Sequence, residues 1–297
     1  MRDYKYYQYR QRDYAALVYL KGVQTKYTRY ELRLVALFLR DVMGYTPKPL
    51  RQGIIECLQK WDERYTLNKW CVEIEQTAAY ARNKKHKLVQ CDSIPMYQSE
   101  VEYIKGLDIP EDLKRAVWTM MVQKKLDKVV YETRHEKPYQ IFTYANNTKR
   151  IKALPRAAGI KKKRGFDTAS DILHPLYCAG LIDVIQTKGD PFKLNFADKI
   201  VFEGEEVVRV TDYEHIGLYW DYVTGGNVGL CEVCGAPFKR KGAGRPRKVC
   251  DDCADRTQVK DVEIMECVDC GKVFVRDCST KLQVRCSACQ EEKRKCR

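Results

Sequence analysis

The 297 residues suffice for two or three domains, and a 44% hydrophobic share is enough to bury a sizeable core. Lys and Arg outnumber Asp and Glu by 54 to 40, and this formal net charge of +14 favours nucleic acid over acidic proteins, ribosomes or membrane surfaces. No apolar run is long enough to span a membrane, and the Tyr- and Arg-rich start does not read as a signal peptide, so a cytoplasmic protein without a membrane partner is expected.

Residues 1–14, MRDYKYYQYRQRDY, lack periodicity and read as a tail. Tyr4, Tyr6, Tyr7 and Tyr9 interleave with basic residues, which suits either base stacking or a frayed terminus packed on the body. Residues 15–92 read as a helical domain. Tyr30–Met43 is apolar on nearly all sides and stops at Gly44, which describes a buried central helix. Pro47 and Pro49 mark a connection before an amphipathic helix over Leu50–Trp61. Lys69–Arg82 is the next, with Trp70, Ile74 and Ala78 on one face.

This Leu- and Arg-rich helix, the turn, the helix ending in Trp61-Asp62 and the helix holding Ala78-Ala79 resemble the PriCT module. That module accompanies prim-pol primases and recurs in phage and mobile-element replication proteins. The family usually has Trp-Asn where this chain has Trp61-Asp62, and no paired D-x-D precedes the segment. The resemblance therefore implies a replication setting rather than primase chemistry.

Residues 93–198 read as a helical connector and a winged helix-turn-helix. Ser99-x-x-Glu102 is a capping box, and Pro110 with Glu111 and Asp112 opens a long helix to about Tyr131. Ile141–Tyr144 is a β-like run. A first helix within Asn147–Ala158 is expected to end near Leu154, before Pro155 and Gly159. Asp167 or Thr168 caps a second helix, which Pro175 should shorten to about His174. Strands over Ile182–Gln186 and Phe192–Phe196 flank a wing at Lys188–Pro191. Lys161, Lys162, Lys163 and Arg164 precede the groove-reading helix and are candidate nucleic-acid ligands. His174 has no partner ligand in sequence and reads as a surface residue. Over 199–230, Lys199–Val210 reads as a hairpin turning at Gly204. Thr211-x-x-Glu214 caps an aromatic helix to Val223, and Gly225-Gly226 is a hinge.

The last third writes one cysteine pattern twice. Cys231-x2-Cys234 is followed by Cys250-x2-Cys253, and Cys267-x2-Cys270 by Cys286-x2-Cys289. All four positions recur at a shift of 36, as do Gly235 with Gly271 and Phe238 with Phe274. Residues 231–260 and 261–297 thus read as two zinc ribbons, each closing a four-thiolate structural site, with two Zn²⁺ per chain. The glycines permit the positive φ a knuckle needs, and the phenylalanines fill a small core. Cys278 and Cys296 lie outside the count of four per site. Lys239–Lys248, KRKGAGRPRK, sits at the tip of the first ribbon, and Gly244–Arg247 resembles an AT-hook core. Lys239, Arg240, Lys241, Arg245, Arg247 and Lys248 are therefore candidate nucleic-acid ligands. In the second ribbon Val273, Phe274 and Val275 suit packing or protein contact.

No phosphate-binding loop, H-E-x-x-H or G-x-S-x-G motif is present, and the four histidines are scattered. No catalytic residues are expected. The expected fold is mainly α with α+β parts: a helical N-terminal domain, a winged helix-turn-helix middle and two tandem β zinc ribbons. The order of parts resembles phage and integrative-element proteins of Gram-positive bacteria. The composite reading is a non-enzymatic, zinc-containing protein that binds nucleic acid, double-stranded DNA first, in replication or transcription control. The alternatives are an adaptor docking on a polymerase, helicase or host defence factor, and a primase or nuclease accessory subunit.

Overall fold

The computed structural model describes residues 9–22, 28–135, 139, 143–144, 148–160, 170–185, 192–240, 248–254, 262–277 and 283–295. It is mainly helical with small antiparallel sheets. The chain opens with α1 (Gln11–Lys21), α2 (Thr28–Asp41), α3 (Pro47–Trp61) and α4 (Leu67–Arg82). Strand β1 (Ile94–Tyr97) leads into α5 (Gln98–Lys105) and α6 (Glu111–Arg134). Then come β2 (Thr143–Tyr144), α7 (Thr148–Ala157), α8 (Ser170–Cys178), β3 (Ile182–Val184) and β4 (Phe192–Leu194). A 3-10 turn (Ala197–Lys199), β5 (Glu206–Val210) and α9 (Ile216–Val223) follow. The cysteine-rich third holds β6 (Val228–Leu230), β7 (Pro237–Lys239), α10 (Asp251–Ala254), β8 (Val262–Glu266), β9 (Val273–Asp277) and α11 (Ser287–Lys295).

Two compact units divide these elements. The first takes the described residues of Met1–Gln90, Thr133–His135 and Gln258–Arg297. Its axis is α2, whose Leu32 and Leu34–Leu39 are all buried, as an all-round apolar helix must be. α1, α3 and α4 pack around it. α1 begins inside the segment expected to be a tail, because Tyr14, Ala15, Ala16, Leu17 and Val18 are needed in the core. The Tyr14 hydroxyl donates to buried Glu31. Tyr4, Tyr6 and Tyr7 lie outside the described residues. α3 starts at Pro47 rather than Leu50. Both prolines fall in its first turn, where the missing N–H would have had no helical acceptor. The Asp62 carboxylate ends α3 by accepting from Lys69 Nζ at 2.6 Å and Trp70 Nε1 at 2.9 Å, which lowers its pKa to about 2. The β8–β9 hairpin belongs to this unit. Val275 enters the helical core with Val262 and Ile264 beside it, and Lys21 pairs with Asp277 at 3.0 Å. Of the two readings offered for Val273–Val275, packing is the one Val275 shows.

The second unit takes the described residues of Cys91–Glu132 and Glu136–Thr257. Here β5 pairs antiparallel with β1, Ile94 opposite Val210 and Met96 opposite Val208. The hairpin expected over Lys199–Val210 does not form. Residues 200–205 are tied instead to the start of α5. Val201 N–H donates to Glu100 Oε1 (3.2 Å), Tyr97 OH to the Phe202 carbonyl (2.7 Å) and Gln98 N–H to the Glu205 carbonyl (2.9 Å). Gly204 crosses the Tyr97 side chain at φ 149°, a region open to glycine. The cap of α5 also differs from Ser99–Glu102. The helix springs directly from β1, so Tyr97 is the N-cap and its N–H donates to Glu100 at 2.9 Å.

Glu100 and Lys125 form a buried ion pair at 2.7 Å, with side chains 0% and 3% exposed. Lys125 Nζ also donates to the Pro95 carbonyl at 2.9 Å and sits 4.4 Å over the Tyr97 ring. Burial raises the Glu100 pKa and lowers that of Lys125, so desolvation outweighs their mutual attraction.

α7 runs through Pro155 to Ala157, and α8 through Pro175 to Cys178, both further than the prolines alone suggest. A proline deletes one helical donor, but its own carbonyl still accepts. Ala179 N–H bonds Pro175 O, and Ile160 N–H bonds Pro155 O, both at 2.9 Å. Leu154, Ile172, Leu173 and Leu176 are buried, and that burial offsets the lost bond. β2, β4 and β3 form a sheet in the order β2-β4-β3. Asp167, Thr168 and the expected wing Lys188–Pro191 lie outside the described residues. α9 starts at Ile216, five residues later than expected, because Asp212 organises the approach. Its Oδ1 accepts from the N–H of Glu214 at 2.8 Å and of His215 at 3.3 Å. Gly217 lies against the Ala158 backbone, where a Cβ would fall 2.0 Å from the carbonyl oxygen. Trp118 and Trp220 pack with ring centroids 5.5 Å apart.

Candidate metal centres

Each C-x2-C first pair is the turn of a hairpin. β6 pairs with β7 and β8 with β9, and the chain reverses through Cys231–Gly235 and Cys267–Gly271. Both glycines take the left-handed conformation, with φ 70° and 67°. The second pair differs from the ribbon expectation. It sits at the start of a helix, with Cys250 before α10 and Cys286 before α11. The hairpin comes before the second pair but carries the first.

The shift of 36 recurs bond for bond. Cys231 N–H donates to Ala236 O and Cys267 N–H to Lys272 O, both at 2.9 Å. Gly235 N–H reaches Cys231 O at 2.8 Å, and Gly271 N–H reaches Cys267 O at 2.9 Å. Glu232 N–H donates to Lys248 O at 3.0 Å and Val268 N–H to Val284 O at 3.2 Å, bridging each knuckle to the segment before its helix. Cys234 and Cys250 have sulfurs 3.7 Å apart, and so do Cys270 and Cys286.

The four sulfurs of Cys231, Cys234, Cys250 and Cys253 lie within 4.8 Å of one another, and so do those of Cys267, Cys270, Cys286 and Cys289. A disulfide needs sulfurs about 2.05 Å apart, and all eight are free. Sulfurs placed about 2.3 Å from a common centre at tetrahedral angles stand about 3.8 Å apart, close to the spacing seen. Each set could hold one metal ion. The first cysteine of each knuckle is prepared as a thiolate. Burial opposes this at Cys231, yet the backbone N–H groups of Cys250, Cys234 and Val233 bring its thiol down to about 6. At Cys267 the Cys286 N–H leads and overcomes burial, joined by those of Asp269 and Cys270, again giving about 6. Burial pushes Cys234 up to about 11 and Cys253 higher still. Hydrogen bonds with Cys270 and Cys286 raise Cys289. The first cysteine of each knuckle is thus the one whose thiol the backbone lowers.

Phe238 packs with Cys231 and Cys250 in a small core of its own, as expected. Gly229 lies opposite it, where a Cβ would fall 2.9 Å from the ring. In the second unit the first knuckle is fixed by Thr211 and Tyr219. Thr211 Oγ1 donates to Cys234 O at 3.0 Å and Tyr219 OH to Gly235 O at 3.1 Å. No hinge separates α9 from the hairpin: Gly225 ends the helix at φ 84°, and β6 and β7 pack on α9.

Of the basic candidates, Lys161, Lys162, Lys163, Arg164, Lys241, Arg245 and Arg247 lie outside the described residues, as do Cys278 and Cys296. Lys239 and Arg240 are exposed at the end of β7, and Lys248 is exposed and pairs with Glu232 at 3.0 Å. His174 is exposed on α8, 3.7 Å from the Cys178 sulfur. A further basic group, in the first unit, has no motif to announce it. The run 82–87, RNKKHK, is its only sequence signal, and it lines a cleft with Arg12 and Arg40. Among the described residues no helix is long and apolar enough to cross a membrane. No family model, curated protein or solved structure matches the chain.

Proposed function

We propose that the chain is a zinc-containing protein that binds nucleic acid and performs no chemistry of its own. The reading is carried by the two closed four-sulfur sets. Four thiolates suit Zn²⁺ and leave no open position for water or substrate. When bound, each ion supplies folding energy by joining a knuckle to the helix start that faces it. The chain's own bonds do the rest: Thr211 and Tyr219 orient the first knuckle, and Val275 seats the second hairpin in its core.

The charge of +14 supports an anionic partner. Arg245, Arg247 and Lys248 follow the basic end of β7 in the sequence, and Lys161–Arg164 precede α8. Two helices, α7 and α8, within the same stretch as the sheet β2-β4-β3, with α8 packed on β3, support a winged-helix reading of 138–198. Double-stranded DNA is the favoured partner, in the replication or transcription of a phage or mobile element within its host's cytoplasm. The PriCT-like helices are consistent with that setting. The test is salt-dependent binding of a DNA duplex. Replacing Arg245, Arg247 and Lys248 by Ala should weaken binding and flatten the slope of log K against log salt by roughly 1 to 3 units. Zinc content should stay unchanged. Equal binding by parent and variant refutes the DNA reading and leaves the adaptor reading in its place.

A further inference from the structure

We propose that the cleft of about 680 Å³ in the first unit is a binding site for a nucleotide phosphate, free or within a single strand. Four segments line it: the start of α1, the end of α2, the stretch after α4 and Thr133 near the end of α6. Arg12, Arg40, Lys84 and Lys87 supply four cations, and Val42 and Leu88 an apolar part. The volume is that of a small-ligand site.

Arg40 positions the site. Its guanidinium donates to the carbonyls of Ala81, of Asn83 at 3.1 Å and of His86 at 2.6 Å. These bonds clamp the turn 83–87 to the end of α2. The Asn83 side chain tightens the same turn by accepting the Lys85 N–H at 3.0 Å. Arg40 also takes both oxygens of Asp41, at 2.5 and 2.7 Å, so the one carboxylate lining the cleft is already neutralised. Nearby Asp13 accepts from the Gln90 amide at 3.1 Å.

The other three cations are uncommitted. Arg12, Lys84 and Lys87 are exposed, and among the described residues none pairs with a carboxylate. Three uncompensated cations held around a concave surface attract a multiply charged anion. Val42 and Leu88 give the flat end of a nucleotide an apolar surface, which separates this chemistry from that of an acidic peptide. Arg12 presents a planar fork suited to phosphate oxygens, whereas Lys84 and Lys87 act as point charges. Its residues are none of Lys161–Arg164 or Lys239–Lys248, and its assignment does not depend on theirs.

The test is fluorescence titration of the full zinc-loaded chain with a labelled nucleoside triphosphate and with a labelled single-stranded oligonucleotide. One or both should bind saturably, and the arm that does identifies the source of the phosphate. Lys84→Glu with Lys87→Glu should weaken that binding by about tenfold per lost contact. The Arg245, Arg247 and Lys248 alanine variant serves as control and should bind the mononucleotide as the parent does. Because both lysines are exposed, circular dichroism and zinc content should not change. Failure of both probes to bind, binding unaffected by the double substitution, or equal competition by a polyglutamate of matched charge overturns the assignment.

Discussion

Replacing Glu100 tests whether its contact with Lys125 is a net attraction or a costly pair held by its surroundings. Glu100→Ala leaves an ammonium 3% exposed without its counter-charge, and it strips the acceptor from the N–H groups of Tyr97 and Val201. Breaking a buried pair on one side costs about 3–5 kcal/mol, and each orphaned buried donor about 1–3 kcal/mol more, with the terms overlapping. A loss of about 4–6 kcal/mol of unfolding free energy is expected in urea denaturation. Glu100→Gln keeps an acceptor and should cost about half as much. Glu100→Leu with Lys125→Met should recover more than 2 kcal/mol, or roughly half the alanine loss, because it removes both desolvated charges. The pH dependence has a definite sign. Glu100 has a raised folded pKa, so the folded state binds its proton more tightly than the unfolded chain does. The carboxyl's contribution is therefore greatest in acid and is lost as pH rises from the ordinary carboxylate range through the raised value. Gln cannot titrate, so the parent should gain stability relative to Glu100→Gln as pH falls through that window. If Glu100→Ala costs under about 1 kcal/mol, or the double variant is no better than the single one, the buried-pair argument fails.

Elemental analysis of protein purified without chelator should find two zinc ions per chain; fewer than one refutes the four-thiolate reading. Cys231→Ser and Cys267→Ser should each release one ion, with different consequences. In hydrogen exchange the first should deprotect 228–254 and the Thr211–Tyr219 contact, the second 262–295; the same pattern from both would contradict the division into units. Val275→Asp should cost more than about 2 kcal/mol in urea while both zinc ions stay bound, since the side chain sits in the α1–α4 core. Incubation with labelled DNA, RNA and nucleotides in Mg²⁺ or Mn²⁺ should give neither cleavage nor synthesis. A turnover abolished by changing a single carboxylate overturns the non-enzymatic reading.

What the sequence determined by itself is short in range. A C-x2-C-G turn needs only five residues to define it, and the doubled spacing fixes which sulfurs must meet, so both four-sulfur sets, Gly235 and Gly271 were legible in advance. The burial of α2 follows from its apolar circumference, and the start of α6 from Pro110 and the two acids behind it. Contacts between distant residues carried no such mark. β5 chose β1 over a local hairpin because Glu100 and Tyr97 had already taken the polar groups of residues 200–205. α7 and α8 pass through their prolines because buried leucines and isoleucines offset a single lost bond, a balance that local propensity cannot register. The two cysteine units are neighbours in the chain and equal in their bonds, yet they belong to different compact units. One presents its knuckle to Thr211 and Tyr219, the other its strand valine to α1, and those partners lie 23 and 16 residues away in the first case and more than 250 in the second. Only tertiary structure gathers Arg12, Arg40, Lys84 and Lys87 around one cleft. Their charges are visible in the sequence, but the Arg40 clamp that aims them spans more than forty residues.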